Sequence, residues 1–189
     1  MHRVEAAGRT DLAIARSLLL AAGVEAPEID ARAEEVAARA VEAYADLCPA
    51  DLSPRLAPGI VELLDALAGR PTEFALSLVT GNLEPVARLK LARAGIGAYF
   101  PSGQGGFGSD HHARAELPPI ARARMASPPW PRDRTVVIGD TPRDIACARA
   151  DGVLVAAVAT GPFTVEALAG ADAVADDARS LLPVLEDWL

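Results

Sequence analysis

The sequence predicts an α/β fold: a parallel sheet with helices on both faces, preceded by a segment that is helical throughout. Three observations carry this expectation. From Phe74 onward, short apolar runs alternate with stretches of helical periodicity, the pattern of β-α units joined by right-handed crossovers. Val153 to Ala159 is the most continuously apolar stretch, as suits a strand covered on both faces. Before Pro58, by contrast, only helical spacing is found.

The elements follow in order. Thr10 or Asp11 caps a first helix with Leu12, Ile14, Leu18 and Leu19 on its apolar side, stopped by Gly23. Pro27 opens a second, on which Ile29, Val36, Ala40, Val41 and Tyr44 recur at helical intervals. After Pro58-Gly59 a third helix carries Ile60, Leu63, Leu64 and Leu67. Phe74 to Val79 reads as a strand, and Asn82 caps a helix that Gly95 ends near Ala94. Tyr99-Phe100 reads as a short strand, Gly103 to Gly108 as a flexible loop without nucleotide-loop spacing, and Leu117 to Met125 as a helix. Thr135 to Gly139 is a strand behind the proline-rich turn at Pro128-Pro129-Trp130-Pro131. Pro142 starts a helix reaching Ala150, with Gly152 as its C-terminal cap. After the strand Val153 to Ala159, a short strand at Asp172 to Ala175 and a last helix toward Trp188 complete the list.

Composition narrows the function. The 189 residues are 51% apolar but only 4% aromatic, so the core is built from Ala, Leu and Val. A net charge of -8 argues against nucleic acid and acidic membranes as partners, both of which need a basic face. A small anionic substrate stays compatible, because a bound cation and helix N-termini reverse the sign locally. Cys48 and Cys147 lie in no paired motif and read as free thiols, the second as core packing. With no membrane-spanning stretch and no signal-peptide pattern, the cytoplasm is the expected location.

The chemistry concentrates in two stretches. Val137-Ile138-Gly139-Asp140-Thr141-Pro142-Arg143-Asp144 sets two carboxylates where a strand turns into a helix, Asp140 past the strand end and Asp144 in the first helical turn. Oxygen ligands so placed suit a hard cation such as Mg2+; the plainer reading is a helix cap and a carboxylate favoured by the helix dipole. Ser77-Leu78-Val79-Thr80-Gly81-Asn82 is a second strand end, with a hydroxyl and a glycine turn. Thr80 there can bond a phosphate oxygen, helped by the backbone N–H groups of Gly81 and Asn82. Ligands of open α/β sheets bind at such strand ends. His111-His112 is more simply a solvated loop than a metal site, because adjacent residues rarely aim at one ion.

With these stretches in their order, the chain resembles a haloacid-dehalogenase-superfamily hydrolase of the phosphoglycolate-phosphatase-like group with a helical cap. The resemblance rests on Gly8-Arg9-Thr10-Asp11, Pro58-Gly59, Leu78 to Asn82, Lys90-Leu91, Phe107-Gly108-Ser109-Asp110 and Ile138 to Asp144. It implies a Rossmann-like core at 58–189, a small all-helical cap over 1–57 that is incomplete at its N-terminus, and Mg2+ held through Asp140 and Asp144. It also implies hydrolysis of small phosphorylated metabolites through an aspartyl-phosphate. A cation is implied beside the phosphorylated carboxylate; Lys90 is the leading candidate and Arg114 the second. Arg9 and Thr10 are candidate substrate contacts from the cap, and Asp110 a residue shaping the site.

The family's first motif, a strand ending in an Asp-X-Asp that carries nucleophile and acid-base, has no counterpart before Pro58. The resemblance places that strand centrally, between those ending at Thr80 and at Asp140. A sheet without it is expected to have two apolar edges, prone to self-association. The alternative expectation is therefore a truncated, catalytically inactive protein or binding module. The acidic pair at Asp140 and Asp144 favours a phosphatase over a dehalogenase, with a phosphomutase also compatible.

Overall fold

The computed structural model describes residues 8–189; the first seven residues of the expected cap lie outside the described residues. Three helices come first: α1 (Asp11–Ala21), α2 (Ala26–Ala31) and α3 (Ala33–Leu47). The rest of the chain is α4 (Ile60–Ala68), β1 (Val79–Thr80), α5 (Glu84–Arg93), β2 (Gly106–Phe107) and α6 (Leu117–Met125). Then come β3 (Val136–Gly139), α7 (Pro142–Asp151), β4 (Leu154–Val158), β5 (Ala173–Ala175) and α8 (Leu182–Asp187). The architecture is the expected one: parallel strands flanked by helices, plus a small all-helical cap region.

β4 organises the larger part of the core. It pairs in parallel with β3 on one side and β5 on the other. Val155 joins Val137, Ala148 and Val153 on the α7 face, while Ala156 and Val158 join Leu63, Leu67, Leu181 and Leu185 on the α4–α8 face. Both faces are thus covered, which is why this strand is apolar at every position. The alanines lower the side-chain bulk between strand and helices, consistent with a core nearly free of aromatics.

The sheet comes in two pieces. β1 and β2 pair only with each other, and β3–β4–β5 form a separate sheet. Strand edges of the two pieces face one another across a cleft of about 300 Å3, with Ala75 to Val79 on one wall and Thr135 to Ile138 on the other. Two observations mark the cleft as a break in the sheet. Ile138, on a strand of the core, is 38% exposed. The Ser77 hydroxyl is buried without a hydrogen-bond partner.

Three sequence expectations need correction. Phe74 to Val79 is not a full strand, because only Val79–Thr80 finds a paired partner in the two-residue β2. Tyr99-Phe100 is no strand; Gly97–Tyr99 is a 3-10 turn. The strand lies instead inside the supposed flexible loop, at Gly106–Phe107. There Phe107 is fully buried, and a Cβ on Gly106 would stand 2.2 Å from the Leu117 carbonyl oxygen. The loop is glycine-rich for two reasons: Gly103 and Gly105 take positive φ, and Gly106 and Gly108 let backbone pack on backbone.

Candidate functional site

A pocket of about 460 Å3 opens where β1 and β3 end, roofed by the start of α1. Thr80, Gly81 and Asn82 line one wall; Gly139, Asp140, Thr141 and Asp144 line the other; Arg9, Asp11 and Arg114 complete it. The pocket brings together the expected Thr80, Gly81, Asn82, Asp140, Asp144, Arg9 and Arg114.

The first wall is clamped to the cap. The Asp11 N–H donates to the Gly81 carbonyl at 2.8 Å. The Asp11 carboxylate accepts from Asn82 Nδ2 and from the Leu83 N–H, both at 2.9 Å. Asp11 thereby holds the N-cap residue of α5 from another helix, and the Glu84 N–H, first of the helix, donates to Ser109 Oγ at 3.2 Å; the Asn82 side chain, to which sequence assigned the cap, does not cap it. Asn82 is held at its other end by Lys90, whose Nζ donates to Oδ1 at 2.8 Å. Gly81 makes the approach possible: a Cβ there would lie 2.2 Å from the Arg9 carbonyl oxygen. The Asn82 N–H is already given to Thr80 Oγ1 at 3.2 Å, so on this wall the Thr80 hydroxyl proton and the Gly81 backbone remain to meet an anion.

The second wall holds two carboxylates with different duties. Asp144 is buried and fully engaged. Its Oδ2 accepts from the Asp140 N–H at 3.2 Å, the Thr141 N–H at 3.0 Å and Thr141 Oγ1 at 2.7 Å; its Oδ1 meets Arg114 Nη2 in an ion pair. With Thr141 it forms a reciprocal capping box at the start of α7. Asp140 is the open one: half-buried, facing the pocket, in no ion pair with a described residue. Burial, then the neighbouring Asp144 charge, push its carboxyl above the usual range.

The other predicted residues divide. Arg114 enters the pocket, its Nε buried without a partner, whereas Lys90 stands outside the lining, between Asn82 and the Tyr44 ring. Arg9 lines the pocket; Thr10 does not, being buried as the cap of α1, with its hydroxyl donated to the His112 carbonyl. Asp110 is a structural residue of the neighbouring cleft. Burial would raise its carboxyl, but the Arg124 guanidinium and the Phe107 N–H outweigh that and lower it. Cys147 is buried and its thiol pushed up, chiefly by burial, as suits core packing. Sequence reasoning missed Asp11 and Thr141 as parts of the site. Both stand inside the quoted motifs: Thr141 was readable from its capping-box spacing to Asp144, whereas the partners of Asp11 lie 71 and 72 positions away and leave no spacing to read.

The donor set fits a hard cation at Asp140. A half-buried carboxylate raised by burial and then by its neighbour's charge gains from a positive ion. No cluster of three or more acidic, His or Cys ligands is found among the described residues. Further ligands would thus be water, backbone or substrate oxygens, as suits Mg2+.

Strand-end pocket, helical cap and acidic turn together define a class, and comparison with known proteins gives the same one. The sequence pattern of the haloacid dehalogenase-like hydrolases matches residues 2–149, and the chain belongs to that family. It is also 36% identical over 134 residues to the phosphoglycolate phosphatase of Rhodospirillum rubrum, covering 70% of this chain and 52% of that protein. The chain thus spans about half the length of this relative. Its fold is similar to that of a hydrolase from Pseudomonas syringae, with a TM-score of 0.62 at 23% identity, over 84% of this chain and 72% of that one.

Proposed function

We propose that this chain provides the phosphate- and cation-binding part of a Mg2+-dependent phosphomonoester hydrolase acting on small phosphorylated metabolites, of the phosphoglycolate-phosphatase-like group. The observation that carries the reading is the pairing of an open carboxylate, Asp140, with the Thr80–Gly81 strand end across one pocket. Thr80 donates its hydroxyl to a non-bridging phosphate oxygen. Arg114, held by Asp144, supplies positive charge at the same pocket and keeps Asp144 from repelling the substrate. Asp144 positions the Asp140 backbone through the N–H bond it accepts. When bound, Mg2+ would neutralise charge on the phosphate, with Asp140 as its ligand and Asp144 behind it. Asp11 and Gly81 keep the cap against the phosphate loop.

A second reading, anion binding without turnover, is favoured by a specific observation. Asp11 and Asp144 are each spent on structural bonds, so among the described residues lining the pocket only Asp140 presents an open carboxylate. Calorimetric titration with orthophosphate, with and without Mg2+, tests the site. Binding that requires Mg2+ and disappears in Asp140→Asn supports the proposal; absence of binding, or binding indifferent to that substitution, refutes it. A phosphomonoester turnover assay on the same protein then separates hydrolase from binding module.

A further inference from the structure

The turn after β4 comes up against the open carboxylate of the pocket, and the sheet register brings it there. Gly139 of β3 lies opposite Ala157 of β4. Asp140 follows the one and the turn at 159–161 follows the other, so both leave the sheet at the end where open α/β sheets hold their ligands. Gly161, in that turn, faces Asp140. A Cβ on Gly161 would stand 2.6 Å from Asp140 Oδ2, 3.4 Å from its Cγ and 3.6 Å from its Cβ. These are the nearest heavy atoms among the described residues.

The backbone does not call for glycine at this position. Its φ lies outside the left-handed region. Pro162 follows, and the residue before a proline favours extended conformations that alanine also adopts. The position is exposed, so core packing does not demand a small residue either. At Gly106 and Gly108 a Cβ would strike backbone carbonyl oxygens, which the fold holds in place. At Gly161 it would strike the far end of a side chain, which can turn away. The missing Cβ therefore spares the carboxylate rather than the fold.

We propose that Gly161 is a positioning residue for Asp140: it lets the carboxylate keep its present orientation, with Oδ2 open to a cation. This role rests on the reading of Asp140 as a cation ligand. A methyl group at 161 would force Oδ2 back by about 0.7 Å, from 2.6 Å to an ordinary carbon–oxygen separation of roughly 3.3 Å. A metal site tolerates only about 0.2 Å in its ligand distances. Mg2+ demands near-ideal octahedral geometry, whereas Ca2+ accepts longer and more flexible coordination, so the two ions should feel the shift unequally.

Calorimetric titration of the full chain with Mg2+ and with Ca2+ is the test, joined to urea midpoints of the metal-free protein. Gly161→Ala should weaken Mg2+ binding about tenfold or more and Ca2+ binding about threefold or less. Gly170→Ala, where a Cβ meets Ile145 Cγ2 at an ordinary 3.6 Å, should leave both unchanged. Alanine at an exposed site of compatible φ stabilises by restricting the unfolded chain. Gly161→Ala should therefore raise the urea midpoint in an Asp140→Ala background, where the carboxylate is gone, and raise it less or lower it beside Asp140. If Mg2+ affinity in Gly161→Ala stays within about twofold of the parent, or both ions weaken alike, or the midpoint shifts equally in the two backgrounds, the positioning role is overturned while the cation reading stands. If the parent itself binds no Mg2+, or Asp140→Asn binds it as well as the parent does, the cation reading fails and takes the positioning role with it.

Discussion

Replacing Asp11 by alanine should both destabilise the fold and loosen the phosphate loop. Its carboxylate accepts two hydrogen bonds at 2.9 Å, from Asn82 Nδ2 and the Leu83 N–H. A hydrogen bond to a charged group contributes ~1.5–3 kcal/mol, and losing a helix cap costs ~0.5–2 kcal/mol. The Leu83 N–H belongs to the N-cap residue of α5, so its bond is part of the same helix start and these ranges overlap and do not add. Asp11 is also partly exposed, which places each bond at the weaker end. The expected loss is about 2 kcal/mol, or a fall in melting temperature of roughly 4–8 °C for a chain of this size. Asp11→Asn keeps one acceptor oxygen and should cost about half as much. Urea unfolding monitored by circular dichroism measures both, and a double-mutant cycle with Asn82→Ala isolates the shared bond, with a coupling of ~0.5–3 kcal/mol expected. The orthophosphate titration should weaken in parallel, because Asn82 and its neighbour Thr80 lose their anchor. An Asp11→Ala protein within ~0.5 kcal/mol of the parent would show that the clamp carries no energy, and the reasoning would be wrong.

Three further outcomes follow from the same geometry. Asp140→Asn should stabilise the metal-free protein at neutral pH while abolishing the response to Mg2+. The folded carboxyl is raised, so the native state holds its proton more tightly than the unfolded chain. Stability therefore drops as pH climbs from the ordinary aspartate range, ~3.9, through the raised folded value. Urea midpoints across acid and neutral pH check this, and equal slopes in parent and variant would contradict it. Asp151→Ala removes the buried partner of Arg122, bonded at 2.8 and 2.7 Å, and should cost ~3–5 kcal/mol in the same unfolding assay, because it strands a buried guanidinium. Gly81→Ala forces a methyl against the Arg9 carbonyl and should cost ~1–3 kcal/mol, with weaker orthophosphate binding than any change at the exposed Arg39.

Local signals in the sequence decided a good deal. The apolar run at Leu154–Val158, the Pro142 and Gly152 boundaries of α7, and the acidic turn at Asp140 to Asp144 are all written in contiguous residues. Their structure follows from propensity, capping and burial over a few positions, and the family resemblance rests on the same stretches. Pairing and charge compensation are different, because they join residues far apart in the chain. Only the tertiary structure shows that β1 shrinks to Val79–Thr80 for want of a longer partner, and that the glycine-rich loop holds a buried two-residue strand. Only it shows that Asp11 holds the N-cap residue of α5 across 72 positions. The same holds for the cations: the resemblance put Lys90 ahead of Arg114, yet folding gives Lys90 to Asn82 and Arg114 to Asp144. A side chain's partner is set by which surfaces meet, and no spacing within the sequence records that.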